Sequence, residues 1–229
     1  MPQPTYIAIG YTTTVGTAFT PIMATTYIEQ SGDAQRSLIS TSPVDFAGGT
    51  GARTVRLTYF DQTMTGPFTE DVILNGLTPV NTTNVNICYI ESIVVLTVGA
   101  QLGNVGTIVL KAAAAGAGAT IGSIAPGDNR TQWAHHYVGQ ARATYISGLY
   151  GAIRGIASGE LHVRTSTPTI SNTPEQTIAP VTPLPPGDPI QIPFTAAVVV
   201  FGPKRIILYA RSAISANQDW QAAFGYTET

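Results

Sequence analysis

From Arg53 onward the chain alternates apolar and polar residues with a period of two. Val55, Leu57 and Tyr59 fall on one side and Thr54, Arg56 and Thr58 on the other, the pattern of a half-buried strand. The same alternation predicts strands over 70–74, 87–98, 107–110, 120–124, 132–138, 142–147 and 160–165. Three more follow at 194–201, 205–210 and 220–226. Turn residues separate them: Asn75-Gly76, a strong two-residue hairpin signal, then Gly103 to Gly106, and Ala125 to Asn129. The run Ala112 to Ala119 is rich in Ala but holds Gly116 and Gly118, which favours a loop over a helix. Short strands at this spacing, with Gly and Pro turns, predict an all-β chain folded as a β-sandwich or jelly roll.

Two stretches break the pattern. Residues 1–50 are Thr-rich and weakly patterned, closing in the glycine loop Ala47 to Gly51, and read as an N-terminal arm or edge strands. Residues 168–193 carry eight prolines and read as a long crossing loop of polyproline character, since proline cannot sit in a central strand. The last strands are needed to complete a sheet, so residues 51–229 are expected to form one sandwich.

Composition narrows the function more than the fold. Of 229 residues only 10% are Asp, Glu, Lys or Arg, against about 25% in an ordinary soluble domain. Nine arginines and two lysines oppose 13 acidic residues, for a net charge of -2. No basic stripe exists to displace counterions from phosphates, which argues against nucleic acid as a partner. The chain opens Met1-Pro2-Gln3-Pro4, with neither a basic start nor an apolar run, and its longest apolar stretches fall far short of the ~18 residues that span a bilayer. The expectation is assembly in a cytoplasm with no membrane partner. Cys88 is alone, so no disulfide framework or multi-cysteine zinc site can form, and its apolar neighbours Ile87, Tyr89 and Ile90 predict a buried small hydrophobe.

Candidate chemistry is sparse. His135 and His136 are adjacent, so in a strand they point to opposite faces and cannot share a metal. The favoured reading is an aromatic stripe of Trp133, His135 and Tyr137, leaving one imidazole exposed. No Gly-x-Ser-x-Gly elbow ties a hydroxyl to an imidazole, and Glu70-Asp71 point apart, which is poor geometry for paired acid-base work. The loop Gly48 to Arg53 lacks the Gly-Lys-Ser/Thr ending of a phosphate loop and leads into a strand. Neither an enzyme nor a cofactor is expected. Trp133 and Trp220, with Tyr145, Tyr150 and Tyr226, could line a sugar site if exposed.

Several segments carry a family likeness. They are Gly49-Thr50-Gly51-Ala52-Arg53-Thr54-Val55, then Thr69-Glu70-Asp71-Val72-Ile73-Leu74-Asn75-Gly76-Leu77-Thr78-Pro79-Val80-Asn81-Thr82, and Asn104-Val105-Gly106-Thr107-Ile108. Over residues 47–148 the chain resembles a group of tailed-bacteriophage virion structural proteins. It departs from them near Tyr137 to Ile146, where their Pro-Ala-Gly-Lys turn is replaced. The resemblance implies a β-rich virion component with no catalytic residues. Combined with the uncharged surface, it points to a capsid decoration or cement protein that contacts copies of itself, as a trimer, and the major capsid protein or another virion protein. The alternative is a tail, baseplate or fibre component, including an adhesin that binds host glycan. Contact residues are expected in the arm, at Tyr6, Ile7, Tyr11 and Phe19, and in the Pro-rich stretch, at Leu184, Pro185 and Pro186.

Overall fold

The computed structural model describes residues 6–154, 158–168, 176–177, 182–187, 189–214 and 218–229. The chain is all-β and divides into two compact units, one of residues 1–24 with 133–229 and one of residues 25–132. That division differs from a single sandwich beginning at residue 51. The chain starts the first unit with β1 (Tyr6–Val15) and β2 (Thr20–Pro21). The second unit holds β3 (Ser37–Ser40), β4 (Ala52–Phe60), β5 (Phe68–Ile73), β6 (Val80–Asn81), β7 (Tyr89–Val98), β8 (Ile108–Lys111) and β9 (Thr120–Ile124). The first unit resumes with β10 (His135–Val138), β11 (Ala143–Arg154), β12 (Gly159–Ser166) and the short β13 (Gln176–Thr177) and β14 (Thr182–Leu184). It ends with β15 (Ile190–Phe201), β16 (Lys204–Ser212) and β17 (Gln218–Glu228).

The first unit is a jelly roll. One sheet runs β1-β17-β11-β15 and the other β10-β16-β12-β13, with β14 also on β12 and β2 on β16. Counting its strands in chain order, with the two-residue β2 left out and β13 and β14 taken as a single fifth position, gives sheets 1-8-3-6 and 2-7-4-5. That is the order produced when four antiparallel strand pairs wrap around a common core. Every pairing is antiparallel. Alternate residues meet between the sheets: Ala8, Ile146, Leu149, Ile153, Trp220 and Phe224 from one, Leu161, Val163, Ile206 and Leu208 from the other. Residues 6–15 are therefore an edge strand of the first sheet, locked to β17 from Tyr6↔Tyr226 to Val15↔Gln218. The Pro-rich stretch is partly strand, because β15 begins inside it at Ile190.

In the second unit the quoted sequence motifs turn out to be loop ties. Asp45 is fully buried, and its carboxylate accepts four hydrogen bonds. Oδ1 takes the Ala52 and Val105 amides at 2.8 and 3.0 Å; Oδ2 takes the Gly106 amide at 2.8 Å and the Ser40 hydroxyl at 2.6 Å. The Asp45 carbonyl accepts from Gly76 N at 2.8 Å. One loop thus gathers Gly51-Ala52, Asn75-Gly76 and Asn104-Val105-Gly106. A Cβ at Gly51 would run into Asp45 Oδ1, so the motif needs glycine there.

Gly76, at φ +57°, does turn the chain, with Thr78 N donating to Asn75 O at 3.0 Å. The flanking strands then part, β5 to β4 and β6 to β3, so the expected hairpin shrinks to the single bridge Asn75↔Thr78. A second tie is Arg36, which is buried and donates to the carbonyls of Gly32, Ile87 and Ala112. Cys88 is fully buried, as its neighbours suggest, and burial pushes its thiol pKa up to about 11, so it is unreactive near neutral pH.

Candidate functional site

The titratable clusters of the first unit tie neighbouring strands together. His135 and His136 do point to opposite faces. His135 lies in the predicted stripe, 5.4 Å ring to ring from both Trp133 and Tyr137, with Arg205 Nη2 3.0 Å from its Nδ1. His136 stacks on Tyr226 at 4.1 Å, and its Nε2 is 2.8 Å from Glu228 Oε1 and 3.3 Å from Thr144 Oγ1. Both imidazoles are buried, which corrects the expectation that one would be exposed. Hydroxyl and carboxylate address the same ring nitrogen of His136, whereas a nucleophile relay needs one on each. Burial works to raise the Glu228 pKa, but the His136 bond and the charge of Arg142 outweigh it and hold the carboxylate below its usual value.

A third cluster lies on the outer face of β12 and β16. The Phe19 ring sits 4.1 Å from the His162 ring, with the Arg164 and Arg211 guanidinium carbons 4.4 and 4.7 Å above it. Glu160 binds Arg211 Nε at 2.8 Å, which lowers its pKa, and lies 3.5 Å from His162 Nε2. Phe19 is thus half-buried within its own unit. Trp133 and Trp220 are 4% and 1% exposed, so the tryptophan-lined sugar site considered from sequence is absent.

One hollow of this unit, about 440 Å³, lies beside Thr17, Glu160 and Arg211; the surface low in charge with room for a partner is the outer face of the β1-β17-β11-β15 sheet. Alternation sends Ala8, Trp220 and Phe224 into the core, and so turns Ile7, Ile9 and Tyr11 of β1 outward beside Gln221 and Ala223 of β17. A register shift between Ile146 and Gly148 keeps both halves of β11 in phase with the core, leaving Tyr145, Tyr150 and Ala152 outward. Val199 and Phe201 of β15 complete the face, 40% and 70% exposed.

Small residues line its middle, Ala152 of β11 and Ala223 of β17 facing outward beside the register pair Gly148↔Gly225. The floor therefore dips between larger neighbours. Two hollows result, one of about 270 Å³ beside Tyr11, Thr13, Arg154 and Asp219, and one of about 220 Å³ between Ile9, Tyr150 and Pro189. They share Ala152 and Gln221 and form one shallow groove. Among the described residues of the face only Arg154 and Asp219, register partners at one end, carry charge.

The expected contact residues separate on this frame. Tyr6 and Ile7 are exposed, 47% and 56%, at the start of the edge strand, and Tyr11 is half-buried on the groove wall. Pro185 and Pro186 are exposed beside β14. Leu184 pairs through its backbone with Gly159, and its side chain lies outside the described residues. Val199 and Phe201 were not singled out from sequence, and Tyr150 only as a companion of the tryptophans in a sugar site. Their alternation marks them as strand residues, but which face is covered depends on the second sheet.

No family model and no curated protein matches the chain. Among solved structures it is similar to the infectious bursal disease virus Gt strain, at 9% identity and a TM-score of 0.31, over 99% of this chain and 72% of that one. The VP2 subviral particle of the same virus gives 9% identity and a TM-score of 0.29 over the same shares. T=1 particles derived from that virus give 12% identity and a TM-score of 0.29, over 99% and 69%. Likeness of this degree carries no argument about function, and the strand order stands on its own. Among the described residues no helix is long and apolar enough to cross a membrane.

Proposed function

We propose that the chain is a non-enzymatic structural component of a tailed-phage virion, decorating or cementing the capsid through protein–protein contacts as a trimer. The observation that carries this reading is the grooved outer face of the first jelly-roll sheet, which is apolar and hydroxyl-rich and almost free of charge. Jelly rolls serve capsids, lectins and cupins alike, so the fold leaves function open and the surface decides. Contacts made by Thr and Gln side chains and by apolar groups depend little on ionic strength, which suits a particle that meets wide changes of salt. The resemblance of residues 47–148 to phage virion proteins supports the same reading, and the Asp45 tie gives those motifs a structural role with no chemistry attached.

The test is quantitative mass spectrometry of purified virions combined with reconstitution. Addition of the protein to capsids that lack it is expected to raise the temperature at which they disrupt, with hundreds of copies bound. A few to dozens of copies per particle would instead place it in the tail, baseplate or fibre. Absence from virions would overturn the proposal.

A further inference from the structure

Both outer strands of the β1-β17-β11-β15 sheet are long, and each is interrupted once, β1 by a register shift between Thr12 and Val15 and β15 by one between Pro193 and Val198. β1 spans ten residues and β15 twelve, and neither contains a charged residue. Among the described residues each pairs on one side only, β1 with β17 and β15 with β11. Edge strands are ordinarily shielded by charge, proline or a bulge, because their free N–H and C=O groups template pairing with another chain. Here β15 has Pro193 and a register shift before Val198, and beyond that point Val198 to Phe201 are plain apolar strand.

We infer that these two edges pair with each other between copies, the Val198–Phe201 end of β15 in one copy adding antiparallel to the start of β1 in the next. This rests on the self-assembly proposed above and assigns its contact. Three features select the arrangement. Successive strands of the sheet are antiparallel, so β15 runs opposite to β1 and the next copy continues the sheet with the same face outward. Tyr6, Tyr226, Ile146 and Val198 are successive register partners, so the exposed Tyr6 and Ile7 lie at the same end of the sheet as Val199 and Phe201. Finally, a two-fold pairing of β15 with itself would set its apolar end against the Pro193 end, which lacks a donor. Over the full length of the strands, the pairing of unlike edges is the one that brings the apolar ends together. Such a contact is head-to-tail, so copies add until the ring closes.

Lysine on an edge blocks pairing without entering a core. Ile7→Lys disables the β1 edge, and Val199→Lys, or Phe201→Lys as a second variant, disables the β15 edge. Each variant with a wild-type melting temperature is expected to be monomeric by light scattering where the wild type is a closed oligomer. Mixing Ile7→Lys with Val199→Lys is expected to give a dimer and nothing larger, since one live β15 edge meets one live β1 edge. The inference is overturned if Ile7→Lys keeps the wild-type oligomer while the β15 variants do not, since β15 then pairs with itself. It is equally overturned if all variants keep that oligomer, which would leave self-assembly standing through another surface. A monomeric wild type that still enters virions overturns this contact but not the virion reading; a monomeric wild type absent from virions overturns both.

Discussion

Two single residues carry more of the structure than their number suggests. Asp45 gathers three backbone amides and a hydroxyl at a site sealed from water, so its removal leaves buried donors with no acceptor. Each such donor costs about 1–3 kcal/mol, and Asp45→Ala is expected to destabilise residues 25–132 by about 3–5 kcal/mol in urea unfolding. A loss under about 1 kcal/mol would show that the loops hold without it. His162 has the opposite problem, a buried ring whose Nε2 meets the Glu160 carboxylate only at 3.5 Å. Burial lowers its pKa, the charges of Arg164 and Arg211 add to this, and the Glu160 carboxylate only partly offsets it. The unfolded chain therefore binds this proton more readily than the folded one. Stability is full above the unfolded value of about 6.5 and falls as pH drops below it. Glu160, lowered by Arg211, loses its contribution only at more acid pH. The melting temperature is expected to decline between about pH 7 and 5, and His162→Asn to flatten that decline. An unchanged slope in the variant would remove His162 as the cause.

Among elements, strand identity was legible wherever alternation was strict. β9 matches the predicted span 120–124, and β4 begins one residue before Arg53, where the alternation starts. β1 was obscured by its polar half, Thr12 to Thr14, and by Gly10, since an edge strand buries only one row of side chains and needs fewer apolar residues. The start of β15 was hidden by Pro193, which an edge tolerates where a central strand does not. The groove could not be read at all, for it depends on Gly148, Ala152, Ala223 and Gly225 meeting across strands β11 and β17, some 70 residues apart in sequence. Its importance can be tested directly. Ala152→Trp fills the dip without touching the core and is expected to weaken association with capsids at least tenfold by co-sedimentation, with the melting temperature unchanged. Unaltered association would exclude the groove from the contact.

At the scale of the molecule, the division into two units explains why the motif-rich region and the candidate interface fall apart in sequence. The familiar-looking segments all lie within 25–132, whereas the grooved sheet is built from residues before and after them. A single pass along the chain favours one sandwich, because nothing local marks where one unit is interrupted by another. The interruption has a definite geometry on the jelly-roll side. Met23 bridges Trp133, and Ala134 N donates to Ile22 O at 3.0 Å, so the chain leaves and re-enters side by side. An insertion whose ends are already adjacent strand partners can be replaced by a tight turn without stretching either. Joining Ala24 to Trp133 through Asn-Gly is therefore expected to give a protein that unfolds in one cooperative transition with a β-type circular dichroism spectrum. It should also keep the edge pairing, since β1 and β15 both belong to the retained unit. Residues 25–132 expressed alone are expected to fold as well, because the ties of Asp45 and Arg36 close entirely within them. If the shortened chain is unfolded while 25–132 folds, the jelly roll depends on the insertion for its stability.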